Sequence, residues 1–163
     1  MVQGPTQFKQ SLNSLLRTQG ECAEELLSSL DAERKALAAG DAEQLDAITA
    51  SKTSLLHQLD DLGRQQADLL RSLSFDPQSG GMQSALAWCD PEGDINRLQQ
   101  RVLGQLGQCR QVNERNGVAV QQRLGYVRRA LDVLHGAPPG SSDVYGPDGR
   151  TNSPSSSRLL ASG

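Results

Sequence analysis

A chain of 163 residues with a formal charge of −3, 36 % hydrophobic and only 3 % aromatic side chains has room for one domain and a tail. Its mildly acidic balance argues against a general role on nucleic acid, and no apolar run approaches the roughly 20 residues that cross a bilayer. Leucine outnumbers valine and isoleucine together by more than two to one, which favours helix over sheet. Met1-Val2-Gln3-Gly4-Pro5 has neither the basic region nor the apolar core of a signal peptide. Cys22, Cys89 and Cys109 are odd in number and far apart, so free buried thiols in a reducing compartment are expected rather than disulfides or zinc. A cytoplasmic protein fits all of this.

The first helix is expected from about Thr6 to Ala39. Its seam is Leu12, Leu16, Ala23, Leu26, Leu30 and Leu37, widened by Leu15 and Leu27. Gly40 reads as the left-handed residue that stops it, and Asp41 as the N-cap of the next helix, with Gln44 three residues on. So short a connection makes the two helices antiparallel neighbours. Helix two carries a strict heptad through Leu45, Ile48, Lys52, Leu55, Leu59, Leu62, Gln66, Leu69 and Leu73. Lys52 and Gln66 interrupt it as snorkelling side chains or register devices.

From Ser74 to Asp90 the periodicity breaks at Phe75, Pro77 and Gly80-Gly81, with a short helix over Met82–Trp88 expected to dock Leu86 and Trp88. Asp90-Pro91 then reads as an N-cap followed by proline at the first helical position, ahead of the long last helix, Asp94–Leu134. Its stripe is Ile95, Leu98, Val102, Leu106, Cys109, Val112, Val120, Leu124, Val127, Leu131 and Leu134. Gly104, Gly107, Gly117 and Gly125 lie inside this helix, each costing about 1 kcal/mol relative to alanine. Such a helix is held by packing and opens where packing is thin. Arg128, Arg129 and His135 suit its negative end, and Gly136 with Pro138-Pro139 stops it.

Residues 136–163 draw 16 of their 28 positions from glycine, proline and serine. A segment so poor in apolar surface is expected to be mobile. The fold class expected is all-α: an elongated antiparallel bundle of three long helices and one short one over 1–135, with a flexible tail over 136–163. Charge divides unevenly, −4 across 6–73 and +1 across 74–135.

No catalytic constellation emerges. His57 and His135 stand apart without E-x-x-H or H-E-x-x-H spacing, and there is no phosphate loop or nucleophile elbow. Glu21, Glu24, Glu25, Asp31 and Glu33 read as a solvated face. So, for the most part, do Arg97, Arg101, Arg110, Arg115, Arg123, Arg128 and Arg129, with contact to an acidic partner as the other reading. Asn113 and Asn116 fall where the stripe calls for apolar residues. Either they fix helix register or they hydrogen-bond a partner's backbone.

Three stretches give the chain a family likeness: Ser51-Lys52-Thr53-Ser54-Leu55-Leu56-His57-Gln58-Leu59, Val112-Asn113-Glu114-Arg115-Asn116-Gly117, and Tyr145-Gly146-Pro147-Asp148-Gly149. In these, and in their order and spacing, the chain resembles the FlgN-type flagellar export chaperones. The resemblance implies a cytosolic protein without enzymatic activity or cofactor. It implies as clients the hook-associated proteins of the hook–filament junction, bound through their C-terminal segments, and delivery to the cytosolic domain of the flagellar export gate. No nucleic acid and no membrane insertion are implied. The client-binding residues expected are Asn113, Asn116, Gly117, Val120, Leu124, Val127, Leu131 and Leu134, and the gate-docking residues Tyr145 and Gly146. The chain departs from the family in its Ser79-Gly80-Gly81 loop and in the extension past Gly149. A structural coiled-coil adaptor, self-associating through the helix-two heptad, is the alternative.

Overall fold

A computed structural model describes residues 4–135. Four helices make it up: α1 (Pro5–Ala39), α2 (Ala42–Arg71), α3 (Gly81–Cys89) and α4 (Asp94–Leu134). No strand occurs among the described residues. They fall into two units, 4–122 and 123–135.

Within 4–122, α1 is the central element. It has 35 residues, about 52 Å of helix, and buries Phe8, Leu12, Leu16, Gln19, Cys22, Ala23, Leu26, Leu30, Glu33 and Ala36. Gly40 ends it in the left-handed region at φ 74°, where a side chain would be strained; its N–H donates to the Ala36 carbonyl at 2.9 Å. Asp41 then caps α2, its carboxylate accepting from the Gln44 N–H at 3.0 Å. This turn sends α2 back antiparallel along α1, as its sequence implies. α4 runs parallel to α1. The cross-links advance together, from Gly20 facing Val102 and Gln105, to Cys109 Sγ on the Ala23 carbonyl at 3.4 Å, to Asn116 on the Leu30 carbonyl at 2.9 Å.

Two apolar clusters fill the bundle. One gathers Cys22, Ala23, Leu26, Leu30, Leu55, Leu62 and Cys109. The heptad leucines Leu55 and Leu62 are therefore spent inside the chain. The other closes the end of the bundle around Phe8, Leu12, Leu16, Leu70, Met82, Ala85, Leu86, Cys89 and Ile95. There α3 lies as a plug, and Trp88, half exposed at 42 %, sets its ring edge-on to Phe8 at 5.9 Å. All three cysteines are free and buried, and burial pushes each thiol's pKa up, away from the reactive thiolate.

The structure corrects the expected seams at several points. α4 spans Asp94–Leu134 as expected, but Asp90-Pro91 is not its N-cap and first helical position. Asp90 is the C-cap of α3, yet its carboxylate reaches on to accept from the Ile95 and Asn96 N–H groups at 2.8 and 3.0 Å. It therefore performs the capping that its sequence position suggests, from four residues before the helix starts. α2 stops at Arg71, and Leu70 rather than Leu69 or Leu73 becomes fully buried because α3 packs there. Leu37 is only half-buried, while Ala36 and Glu33 occupy the inner positions. Glu33, expected on the solvated face, is 6 % exposed. No basic residue lies in the last turn of α4; His135, just beyond it, approaches the Leu131 carbonyl through Nδ1 at 2.8 Å.

The Ser79-Gly80-Gly81 loop has a steric reason. Gly80 takes φ 74° as the N-cap of α3, and a Cβ on Gly81 would fall 2.1 Å from the Asp76 carbonyl oxygen. The glycines of α4 have no such reason, since a Cβ at Gly104, Gly107, Gly117 or Gly125 meets nothing within 4 Å.

Asp90 is the electrostatic fastening of this end. Its side chain is fully buried, with Lys9 Nζ at 2.9 Å. Burial works to raise its pKa, but the Lys9 ammonium and the two backbone amides outweigh it and hold the carboxyl below its usual value. Asp90→Ala is expected to cost about 1–2 kcal/mol, the loss typical of a helix cap. A depressed folded pKa means this contribution is present above the unfolded value, about 3.9, and fades as pH falls through the folded one. Urea melts read by Trp88 fluorescence should show the gap between wild type and variant at neutral pH and its closure in acid. A gap that persists at the acid extreme would contradict the ion-pair account.

Candidate functional site

The residues singled out by sequence lie along one stripe of α4, and the structure divides them sharply. Asn116 is 4 % exposed. Its Nδ2 donates to the Leu30 carbonyl at 2.9 Å and to Glu33 Oε2 at 2.8 Å. Glu33 Oε1 in turn accepts from Lys52 Nζ at 2.7 Å, and Lys52 reaches Asn113 Oδ1 at 3.3 Å. One residue of α1, one of α2 and two of α4 thus form a closed polar layer across the bundle. Of the two roles open to the asparagines, register is the one this geometry realises for Asn116, whose amide donors are already taken. Asn113 is exposed on the rim, and Gly117 is exposed beside it. Val120 is half-buried.

A second polar layer lies nearer α3, where Gln19 Nε2 donates to Gln66 Oε1 at 2.9 Å. Lys52 and Gln66, the two breaks in the helix-two heptad, are therefore both cross-helix register contacts. Lys52 in addition buries its stem, with its side chain 18 % exposed.

In the unit 123–135 nothing is buried. Leu124, Val127, Leu131 and Leu134 follow one another at steps of three and four, so they share one face of the helix. They are 55, 51, 47 and 80 % exposed. Sequence reasoning passed over the other face. Tyr126 and Val133, seven residues apart, are 68 and 76 % exposed, and the Arg129 guanidinium lies 4.8 Å from the Tyr126 ring centre. A scarcity of aromatics was the available signal, since the chain has only two tyrosines. Isolated exposed apolar residues are ordinary; here six lie within eleven consecutive residues, four on one face of the helix and two on the other. Arg123, Arg128 and Arg129 give this segment a positive flank. Tyr145 and Gly146 lie outside the described residues.

The described residues define an all-α helical bundle whose last helix leaves an apolar stripe exposed. The FlgN protein family model matches residues 1–153, and the chain belongs to that family, a family of flagellar export chaperones. Comparison with curated proteins and with solved structures gives no match. No helix among the described residues is long and apolar enough to cross a membrane.

The polar layer makes a stability prediction. Removing one partner of a buried ion pair strands the other, at a cost of about 3–5 kcal/mol when both are fully buried. Because Lys52 keeps 18 % of its side-chain exposure against 8 % for Glu33, Lys52→Met should fall at or below the low end, about 2–3 kcal/mol. Lys52→Met combined with Glu33→Leu should recover only part of that loss, because Glu33→Leu also takes the acceptor from one Asn116 N–H. Chemical denaturation of the two variants checks it, and a double variant worse than the single one would show that the pair itself supplies the stability.

Proposed function

We propose that this chaperone acts in the cytosol on the hook-associated proteins of the hook–filament junction. It holds their C-terminal segments, prevents premature assembly, and passes them to the cytosolic domain of the flagellar export gate. The observation that carries this reading is the stripe Leu124, Val127, Leu131 and Leu134, bare on the last helix of a FlgN-family chain. An amphipathic client helix needs an apolar face to lie on, and helix-on-groove capture is a common recognition mode. Asn113, Gly117 and Val120 extend the same stripe toward the polar layer, and Asn116 serves it from beneath by fixing where α4 lies on α1. Gly117 has open space above it, so a client backbone can approach closely there. Binding and release need no cofactor and no chemistry on the client. Tyr145 and Gly146, in the 136–163 tail, are the gate-docking residues of this reading.

Truncating a desolvated anchor in such a site costs about 2 kcal/mol or more. Leu131→Ser is therefore expected to weaken a client's C-terminal peptide by about thirtyfold in calorimetry. Because Leu131 is half exposed at 47 %, the melting temperature should hardly move. Unchanged affinity in a folded variant removes the stripe from the client site.

Delivery is tested separately. An exposed tyrosine offers large contact area at small entropic cost and one oriented hydrogen bond. The gate's cytosolic domain is titrated with wild type and with Tyr145→Ala, each with and without client peptide. Wild type should bind, more tightly with client; the variant should keep its client and lose the gate. A variant that binds the gate normally, or drops the client, refutes the docking assignment.

A further inference from the structure

A second surface, within residues 4–122, is not used by this reading. Between α1 and the first turns of α4 lies a cleft of about 420 Å³. Asn13 and Arg17 line it from α1, and Asp94, Ile95, Arg97, Leu98 and Arg101 from α4, so one carboxylate faces three guanidinium groups. Its floor is apolar, with Ile95 buried and Leu98 half-buried, and its walls carry three exposed guanidinium groups. Arg97 is held by the adjacent Asp94 carboxylate and by the Glu92 carbonyl. Arg17 and Arg101 have no ion-pair or hydrogen-bond partner among the described residues.

That contrast is informative. Seven other arginines and lysines of the unit, Lys9, Arg34, Lys35, Lys52, Arg64, Arg71 and Arg110, each have an acidic partner, and Arg115, outside the cleft, has none among the described residues. The chain is acidic overall, at −3, so carboxylates are not scarce. Yet one cleft brings like charges together from two helices over an apolar floor. Like charges so placed cost stability unless an anion relieves them.

We propose that this cleft docks an acidic amphipathic helix of a partner protein. The chemistry favours that occupant. Guanidinium groups take carboxylates in bidentate fashion. Arg17 and Arg101, the guanidinium groups of the cleft without an acidic partner, face it from two helices and suit glutamates at i and i+4 along the edge of an incoming helix. Half-buried Leu98 between the arginines suits a leucine on the same peptide, which inorganic phosphate or a lipid headgroup lacks. The surface shares no residue with the Leu124–Leu134 stripe, so on this proposal the chain has two faces for two partners.

The test uses the full chain and a labelled helical peptide with leucines on one face and glutamates at i, i+4 along its edge. A matched peptide carries glutamines instead. In fluorescence anisotropy the glutamate peptide should bind, weaken steeply with added salt, and bind about tenfold tighter than the glutamine peptide. Arg17→Glu should weaken it by about tenfold or more while the melting temperature stays level or rises, because a carboxylate at position 17 would share the cleft with Arg101. Arg17→Gln supplies the neutral comparison should charge reversal disturb folding. Leu131→Ser should leave this binding intact. Equal affinity for both peptides, no effect of either Arg17 substitution, or loss of the peptide in Leu131→Ser would overturn the proposal. So would binding of inorganic phosphate or of phosphatidylglycerol vesicles without binding of the peptide.

Discussion

The contact among Glu33, Lys52 and Asn116 is the constraint on which the arrangement of the three long helices depends. Leucine seams supply most of the cohesion, but apolar burial is non-directional. A stripe of leucines can slide by a turn against another at small cost. Moving any one helix by a turn here would leave a carboxylate, an ammonium or an amide buried without its partner, which costs several kcal/mol. Glu33 accepts from both neighbours, one carboxylate oxygen to Lys52 and the other to Asn116. One side chain of α1 therefore sets the register of α2 and α4 together. The Gln19–Gln66 contact repeats the check for α1 and α2 about four turns away.

The two ends of the helix set are built on different principles. Toward α3 the bundle is sealed by aromatic packing of Phe8, Phe75 and Trp88 and by Asp90, which ties α1 through Lys9 and caps α4 through its first amides. In α4, burial thins after Asn116: Val120 and Gly125 are half-buried, and every other residue from Gly117 to His135 is exposed. Glycines at 117 and 125 weaken helix propensity over the same stretch. A segment with few buried contacts opens and reshapes at low cost, which suits the client-holding role proposed for it. The stretch least supported by its own fold is the one that leaves its apolar residues bare.

Much of the fold was readable from residues alone. The Gly40-Asp41 stop-and-cap, the leucine spacing of α1 and α2, and the short helix before Asp90 are local or periodic features, and the structure reproduces them to within a residue or two. The Asp90-Pro91 cap reading is instructive. Asp90-Pro91 has the composition of a helix start, but Gly93, at φ 77°, turns the chain once more before the helix begins. Asp90 caps it across that turn, because α1 positions the carboxylate with Lys9. Cap chemistry was visible; the path of the chain between cap and helix was not.

By itself the sequence determined that this is an all-helical protein with leucine seams, a glycine-bearing last helix and a family likeness carried by three short stretches. Those follow from periodicity, propensity and residue identity, which act along the chain. Only the tertiary structure decided which polar residues face inward. Glu33 and Glu24 look alike in sequence, yet Glu33 is buried under Lys52 and Asn116 while Glu24 is exposed and accepts from Gln105. Tertiary structure also decided that Asn116 is spent within the bundle while the leucines that follow it are bare. Inward and outward are properties of the packed helices, set by which partners arrive from residues distant in sequence, and no single helix carries that information.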